Sequence, residues 1–149
     1  MAGEAGDAAG SDGAAPFEVT RIFTGRDGET HFETVPVALV ADAAARARSG
    51  LLGTEGIIFR RTPGDMDRGW HHPPRRQLVV SLAGTSEVTA SDGEVRRFGP
   101  GTVLLAEDVE PGSPGHLTRG VGDGDRLTLF VPLAEGEAFP PRPPVRADD

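Results

Sequence analysis

The chain has 149 residues, a formal net charge of −8 at pH 7 and a pI near 4.9, which is enough length for one domain with a real core. It contains no cysteine, lysine, tyrosine or asparagine, so disulfides, thiolate nucleophiles, Cys-zinc sites, Schiff-base lysines and tyrosine acid–base chemistry are excluded. An acidic chain lacks the basic face that a phosphate backbone requires, and no run approaches the roughly 20 apolar residues of a spanning helix. Neither nucleic acid nor a membrane is therefore an expected partner, and the expected location is the cytoplasm. Residues 50–133 are nearly balanced in charge, so most of the acidity lies in the two flanks.

Residues 1–16 are Gly, Ala, Ser and acids and read as a disordered tail, having little to bury. Residues 17–23 alternate as a strand, 25–28 turn the chain, and 31–40 read as a second strand. Residues 41–48, rich in alanine and arginine, predict a short helix that Gly50 ends. From there the pattern is β. Strands are expected over 54–62, 77–82, 86–90, 95–98, 102–107, 116–121 and 126–133. The turns are equally legible: Pro63-Gly64, Asp92-Gly93, Gly99-Pro100-Gly101, a Pro/Gly-rich loop over 109–115 and Gly122-Asp123-Gly124-Asp125. Short strands with turns every eight to twelve residues indicate an antiparallel sandwich or barrel. Residues 134–149, with four prolines, read as a loose tail.

The polar residues of this β region are unevenly placed. Trp70-His71-His72-Pro73-Pro74-Arg75-Arg76-Gln77 leads into the apolar run 78–82 and Gly84, with the only glutamine of the chain at the strand edge. His116 opens a later strand, so three of four histidines fall at two strand edges. Such spacing puts polar groups into an otherwise apolar cavity. No phosphate loop or serine triad competes: Gly99-Pro100-Gly101 lacks a following lysine, and Ser81 has no base in a triad motif.

On these residues, 57–133 resemble a single-domain cupin, and in particular the small bacterial members of that superfamily. The first cupin motif is His-x-His, a Glu four residues later, and a strand ending at Gly. Counting back seven from Gly84 puts Gln77 at the Glu position, His71 at the first histidine and Pro73 at the second. In the second motif, Gly99-Pro100-Gly101 supplies the turn and His116 the histidine, after a longer loop. The resemblance implies an all-β double-stranded β-helix or jelly-roll barrel over 51–133 with disordered N- and C-terminal tails. Residues 17–50 would pack on it or on a partner subunit in a homodimer.

It also implies a small-molecule enzyme, of isomerase, cyclase, lyase or dioxygenase type, acting on a small organic or polyketide-like substrate. The metal ligands would be His71, Gln77 and His116, holding Fe, Zn, Ni or Mn, with Glu107 and His72 as catalytic groups. Arg76, Thr118 and Trp70 would contact substrate. Adjacent strand residues alternate in direction, so His71 and His72 should not both face inward, and only one of Arg75 and Arg76 can. The same holds for Glu107 and Asp108, of which Glu107 is the expected inward group. An amide at position 77 pulls less on a divalent cation than a carboxylate. The alternative is thus a metal-free cupin, either a binding module or an enzyme using histidines as acid and base. His31 reads as an exposed residue outside the site.

Overall fold

Period-two alternation, and apolar runs bounded by Gly and Pro, set the strands of this chain. The computed structural model, which describes residues 14–144, is built from them with no helix among the described residues. They are β1 (Phe17–Thr24), β2 (Thr30–Val37), β3 (Val40–Ala41), β4 (Ala47–Arg48), β5 (Ile58–Thr62) and β6 (Arg68–His71). There follow β7 (Gln77–Ala83), β8 (Thr85–Ala90), β9 (Val95–Phe98), β10 (Val103–Glu107), β11 (His116–Val121) and β12 (Arg126–Pro132). Six strands form one sheet in the order β2-β1-β10-β7-β12-β5, and four form another in the order β6-β11-β8-β9. No helix among the described residues is long and apolar enough to cross a membrane. The parts of the expected tails at 1–13 and 145–149 lie outside the described residues.

The sheets face each other through a buried cluster of Ile22, Phe32, Val88, Ala90, Phe98, Leu104 and Ala106, drawn from both. The large sheet also buries its opposite face. There Leu105, fully buried, packs with Val19, Val37 and Leu133, and with Leu52, Leu78, Val103 and Phe139 at the margin. Central strands covered on both sides read as continuous apolar runs rather than alternations, which is how 78–80 and 103–106 appear.

Two expectations are corrected here. Residues 41–48 are not a helix: β3 and β4 pair as a small hairpin, Val40 against Arg48 and Ala41 against Ala47. The Asp42 carboxylate accepts from the backbone N–H groups of Ala44 and Arg46, at 2.9 and 3.0 Å. An aspartate side chain that satisfies local N–H groups offers the backbone an alternative to helix. Eight residues without an apolar stripe cannot offset helix nucleation. Nor is the segment after β12 loose as far as it is described. Phe139 packs on the outer cluster, the Glu137 carboxylate accepts from Gly53 N–H at 3.0 Å, and the Glu137 carbonyl accepts from Arg76 Nη1 at 2.8 Å.

The N-terminal strands are part of the main sheet. β1 lies between β2 and β10, antiparallel to the first and parallel to the second, with Thr20 beside Leu104 and Phe23 beside Glu107. His31, expected to be exposed and idle, ties the β1–β2 turn to the β8–β9 hairpin. Its ring nitrogens bond Asp27 and Asp92, each at 3.0 Å.

Candidate active site

Between the two sheets lies a cavity of ≈ 380 Å³, within the usual range for small-molecule sites, about 300–1,000 Å³. Its apolar wall includes Val79, Val88, Phe98, Leu104 and Phe130. Ile58 and Met66 line it while staying 43% and 52% exposed, which puts the opening at the β5–β6 end.

His116 and His71 stand side by side on its wall because β11 and β6 pair in register at these two residues. Their rings meet edge to face with centroids 4.5 Å apart. This proximity needs Gly115. It adopts φ +75°, and a Cβ there would lie 2.1 Å from the His71 carbonyl oxygen. The buried Thr30 hydroxyl donates to the Gly115 carbonyl at 2.8 Å and pins the turn from behind.

Each imidazole is oriented through Nδ1. His116 Nδ1 donates to Asp108 Oδ2 at 2.5 Å, and His71 Nδ1 donates to the Gly69 carbonyl at 2.7 Å. Carbonyl and carboxylate oxygens only accept, so Nε2 is left as the chemically free nitrogen of both rings. Burial, with a smaller contribution from nearby His116, pushes the His71 pKa below its ordinary value, so that ring is neutral at pH 7. Asp108 is fully buried beside His116, and its Oδ1 has no hydrogen-bond partner among the described residues. Gln77, also buried, accepts from Arg75 Nη1 at 3.2 Å through Oε1.

The structure brings together His71, Gln77, His116 and Thr118. It does not bring the other expected site residues to them. Glu107 points to the opposite face of the large sheet, where it joins Arg21 (2.5 Å) and Arg76 (2.5 Å). Arg76 is thereby held outside the cavity, and Arg75 lines it instead. His72 donates through Nε2 to the Ser113 carbonyl at 2.6 Å, holding the loop that leads to His116 rather than facing the cavity. Trp70 is half exposed and does not line the cavity. The physical reason is one of phase: His71, Pro73, Arg75, Gln77, Val79 and Ser81 face inward, and the residues between mostly face away.

Glu107 is thus a structural hub. Its carboxylate is 12% exposed and its two arginines about a third exposed. Glu107→Gln should cost about 2 kcal/mol, a value discounted from that of fully buried pairs for partial solvent screening. Urea denaturation would show this while ligand binding in the cavity is unchanged; loss of binding at full stability would return Glu107 to the site.

Missed at the sequence level were Asp108 as the inward partner of His116, and three cavity arginines, Arg60, Arg68 and Arg126. With Arg75 these are four guanidinium groups, and no aspartate or glutamate lines the cavity among the described residues.

No protein-family model and no curated protein matches the chain. Among solved structures, the crystal structure of protein NMB1881 from Neisseria meningitidis is similar, with a TM-score of 0.40 and 18% identity over 61% of this chain and 90% of that one. A likeness of this size carries no argument about fold or function.

Proposed function

We propose that the chain is a metal-independent, cupin-type enzyme in which His116, backed by Asp108, moves a proton to or from a small organic substrate. The observation that carries this reading is the buried Asp108–His116 hydrogen bond on the cavity wall. A carboxylate on Nδ1 holds the tautomer whose Nε2 accepts a proton, and it stabilises the imidazolium that forms. The second Asp108 oxygen, buried without a partner, adds to the attraction for that cation. His71, neutral and in ring contact, is the second group within reach of a bound molecule. The cupin assignment is supported by two facing sheets whose neighbours come from distant parts of the chain, as jelly rolls produce.

A divalent metal on His71, Gln77 and His116 is the second reading, favoured by the two free Nε2 atoms and their anchored Nδ1 atoms. The donor set fits it poorly. Gln77 is neutral and its Oε1 already accepts from Arg75, and the lining contributes four guanidiniums and no carboxylate. Hard or borderline cations prefer anionic oxygen or further imidazole. Among the described residues no group of three His, Cys, Asp or Glu side chains is placed to hold a metal ion.

The test is proton exchange in D2O, followed by NMR over a panel of small carbon acids with EDTA present. The wild type should exchange the acidic C–H of at least one compound, and His116→Gln should not. Exchange that disappears with EDTA and returns with added metal would favour the metal reading. A wild type that binds but exchanges nothing would leave a binding module.

A further inference from the structure

Most described arginines outside the cavity sit beside a carboxylate, whereas those that line it do not. Outside the cavity, Arg21, Arg61, Arg76, Arg96, Arg97 and Arg119 each lie within 4 Å of a carboxylate. Inside it, Arg60, Arg68, Arg75 and Arg126 form no ion pair among the described residues. Four guanidiniums without an ion pair in one cavity are placed to receive an anion that the described residues do not supply.

Arg126 makes the case sharpest. It is 8% exposed, its Nη2 donates to the Met66 carbonyl at 2.8 Å, and its buried Nε has no hydrogen-bond partner among the described residues. Asp67, the carboxylate whose charge acts on it, is exposed and accepts from Gly120 N–H at 3.3 Å. The neighbouring guanidinium of Arg60, over the Phe130 ring at 5.1 Å, adds a second positive charge. A buried cation without an anionic partner is costly, and a ligand that brings the anion recovers that cost. The planar guanidinium fork matches an oxyanion with two oxygens in one plane. Around it the wall is apolar: Val79, Leu104 and Phe130 leave room for a hydrocarbon body.

We propose that Arg126, with Arg60 beside it, holds the carboxylate of a small organic acid whose apolar body fills the cavity toward His116. This deepens the acid–base reading above by naming its substrate class and rests on the same cavity. It remains testable if His116 does no chemistry.

The test uses matched probes on the untagged full chain: 3-phenylpropionate, its neutral amide, phenyl phosphate and inorganic phosphate, by calorimetry and thermal shift at low and high salt. The carboxylate should bind and raise the melting temperature, and the amide should not. Phenyl phosphate binding more tightly than the carboxylate would replace the carboxylate by a phosphate ester, and inorganic phosphate binding alone would overturn the requirement for an apolar body. Arg126→Met should weaken carboxylate binding at least about tenfold while leaving the ligand-free protein as stable or more stable, because an unpaired buried charge is removed. Arg60→Met provides a second variant, with a smaller loss, should Arg126→Met not fold. His116→Gln should keep carboxylate binding, so its failure to exchange protons is separable from failure of the anion site. An amide that binds as well as the acid, a wild type that takes up no carboxylate at millimolar concentration, or Arg variants that bind it unchanged would overturn the proposal.

Discussion

Asp108→Asn is expected to reverse the tautomer of His116 and to abolish proton exchange in the cavity with little change in fold. In the wild type the carboxylate accepts from Nδ1, at 2.5 Å, which leaves Nε2 as the open nitrogen of the ring. An asparagine amide that turns its N–H₂ toward Nδ1 makes that nitrogen the acceptor and moves the ring proton to Nε2, where it blocks the base. In a well-studied His–Asp pair this exchange lowers turnover by about 10⁴-fold, and a loss on the order of 10³ to 10⁴ is expected here. Nitrogen-15 NMR of labelled histidine reads the tautomer directly, without a substrate. Unchanged His116 signals in the variant would mean that Asp108 does not control the ring. Burial argues against that outcome, since an aspartate with no exposed surface and one unpartnered oxygen has no other described partner to serve.

Gly115→Ala should be the most damaging single substitution at the site. The new Cβ would meet the His71 carbonyl oxygen at 2.1 Å and the following His72 nitrogen at 3.1 Å, both backbone atoms that cannot swing away. The position also holds φ +75°, which costs an L-residue roughly 1–2 kcal/mol before any clash. Separation of β6 from β11 would break the His71–His116 contact and strip Thr30 of its buried acceptor. A loss of about 4 kcal/mol is expected, lowering the melting temperature by roughly 10 °C or more for a chain of this size. Thermal unfolding followed by circular dichroism checks it. A variant that melts like the wild type would show that β6 is free to move, and the two-histidine geometry would then not be a fixed feature.

Much of the architecture was legible because strands and turns are local. Gly and Pro punctuation and the Asp92-Gly93 hairpin marked the elements, and seven expected strands from 54 onward correspond to strands in place. The extra strand β6 was not separated from its loop, since Arg68-Gly69-Trp70-His71 shows no alternation of hydrophobicity. The short helix expected over 41–48 fails for a local reason too: its alanines favour helix, but the Asp42 carboxylate satisfies the N–H groups of Ala44 and Arg46 in a turn that competes with it.

Three neighbouring pairs show where sequence reading stopped. Of His71 and His72, Arg75 and Arg76, and Glu107 and Asp108, one member of each was expected to face inward. The structure turns in His71, Arg75 and Asp108, the last by its bond to His116. For Arg75 a signal existed, because it shares parity with His71 and Gln77 on either side. For Asp108 none did. The run before it, Val103-Leu104-Leu105-Ala106, is apolar on both faces, since Leu52 and Phe139, from the segments before β5 and after β12, pack on the side away from the cavity.

The sequence by itself determined that this is an all-β chain, without thiol, amine or phenol chemistry, with His71, Gln77 and His116 at strand edges. Period-two alternation makes that much a local property. Only the tertiary structure decided which member of each adjacent pair faces the cavity, paired His116 with Asp108, and gathered Arg60, Arg68, Arg75 and Arg126 in one cavity without an ion pair among the described residues. Alternation sets a strand's period but not its phase. Phase and convergence come from how two sheets and their coverings pack, through contacts between residues far apart in the chain.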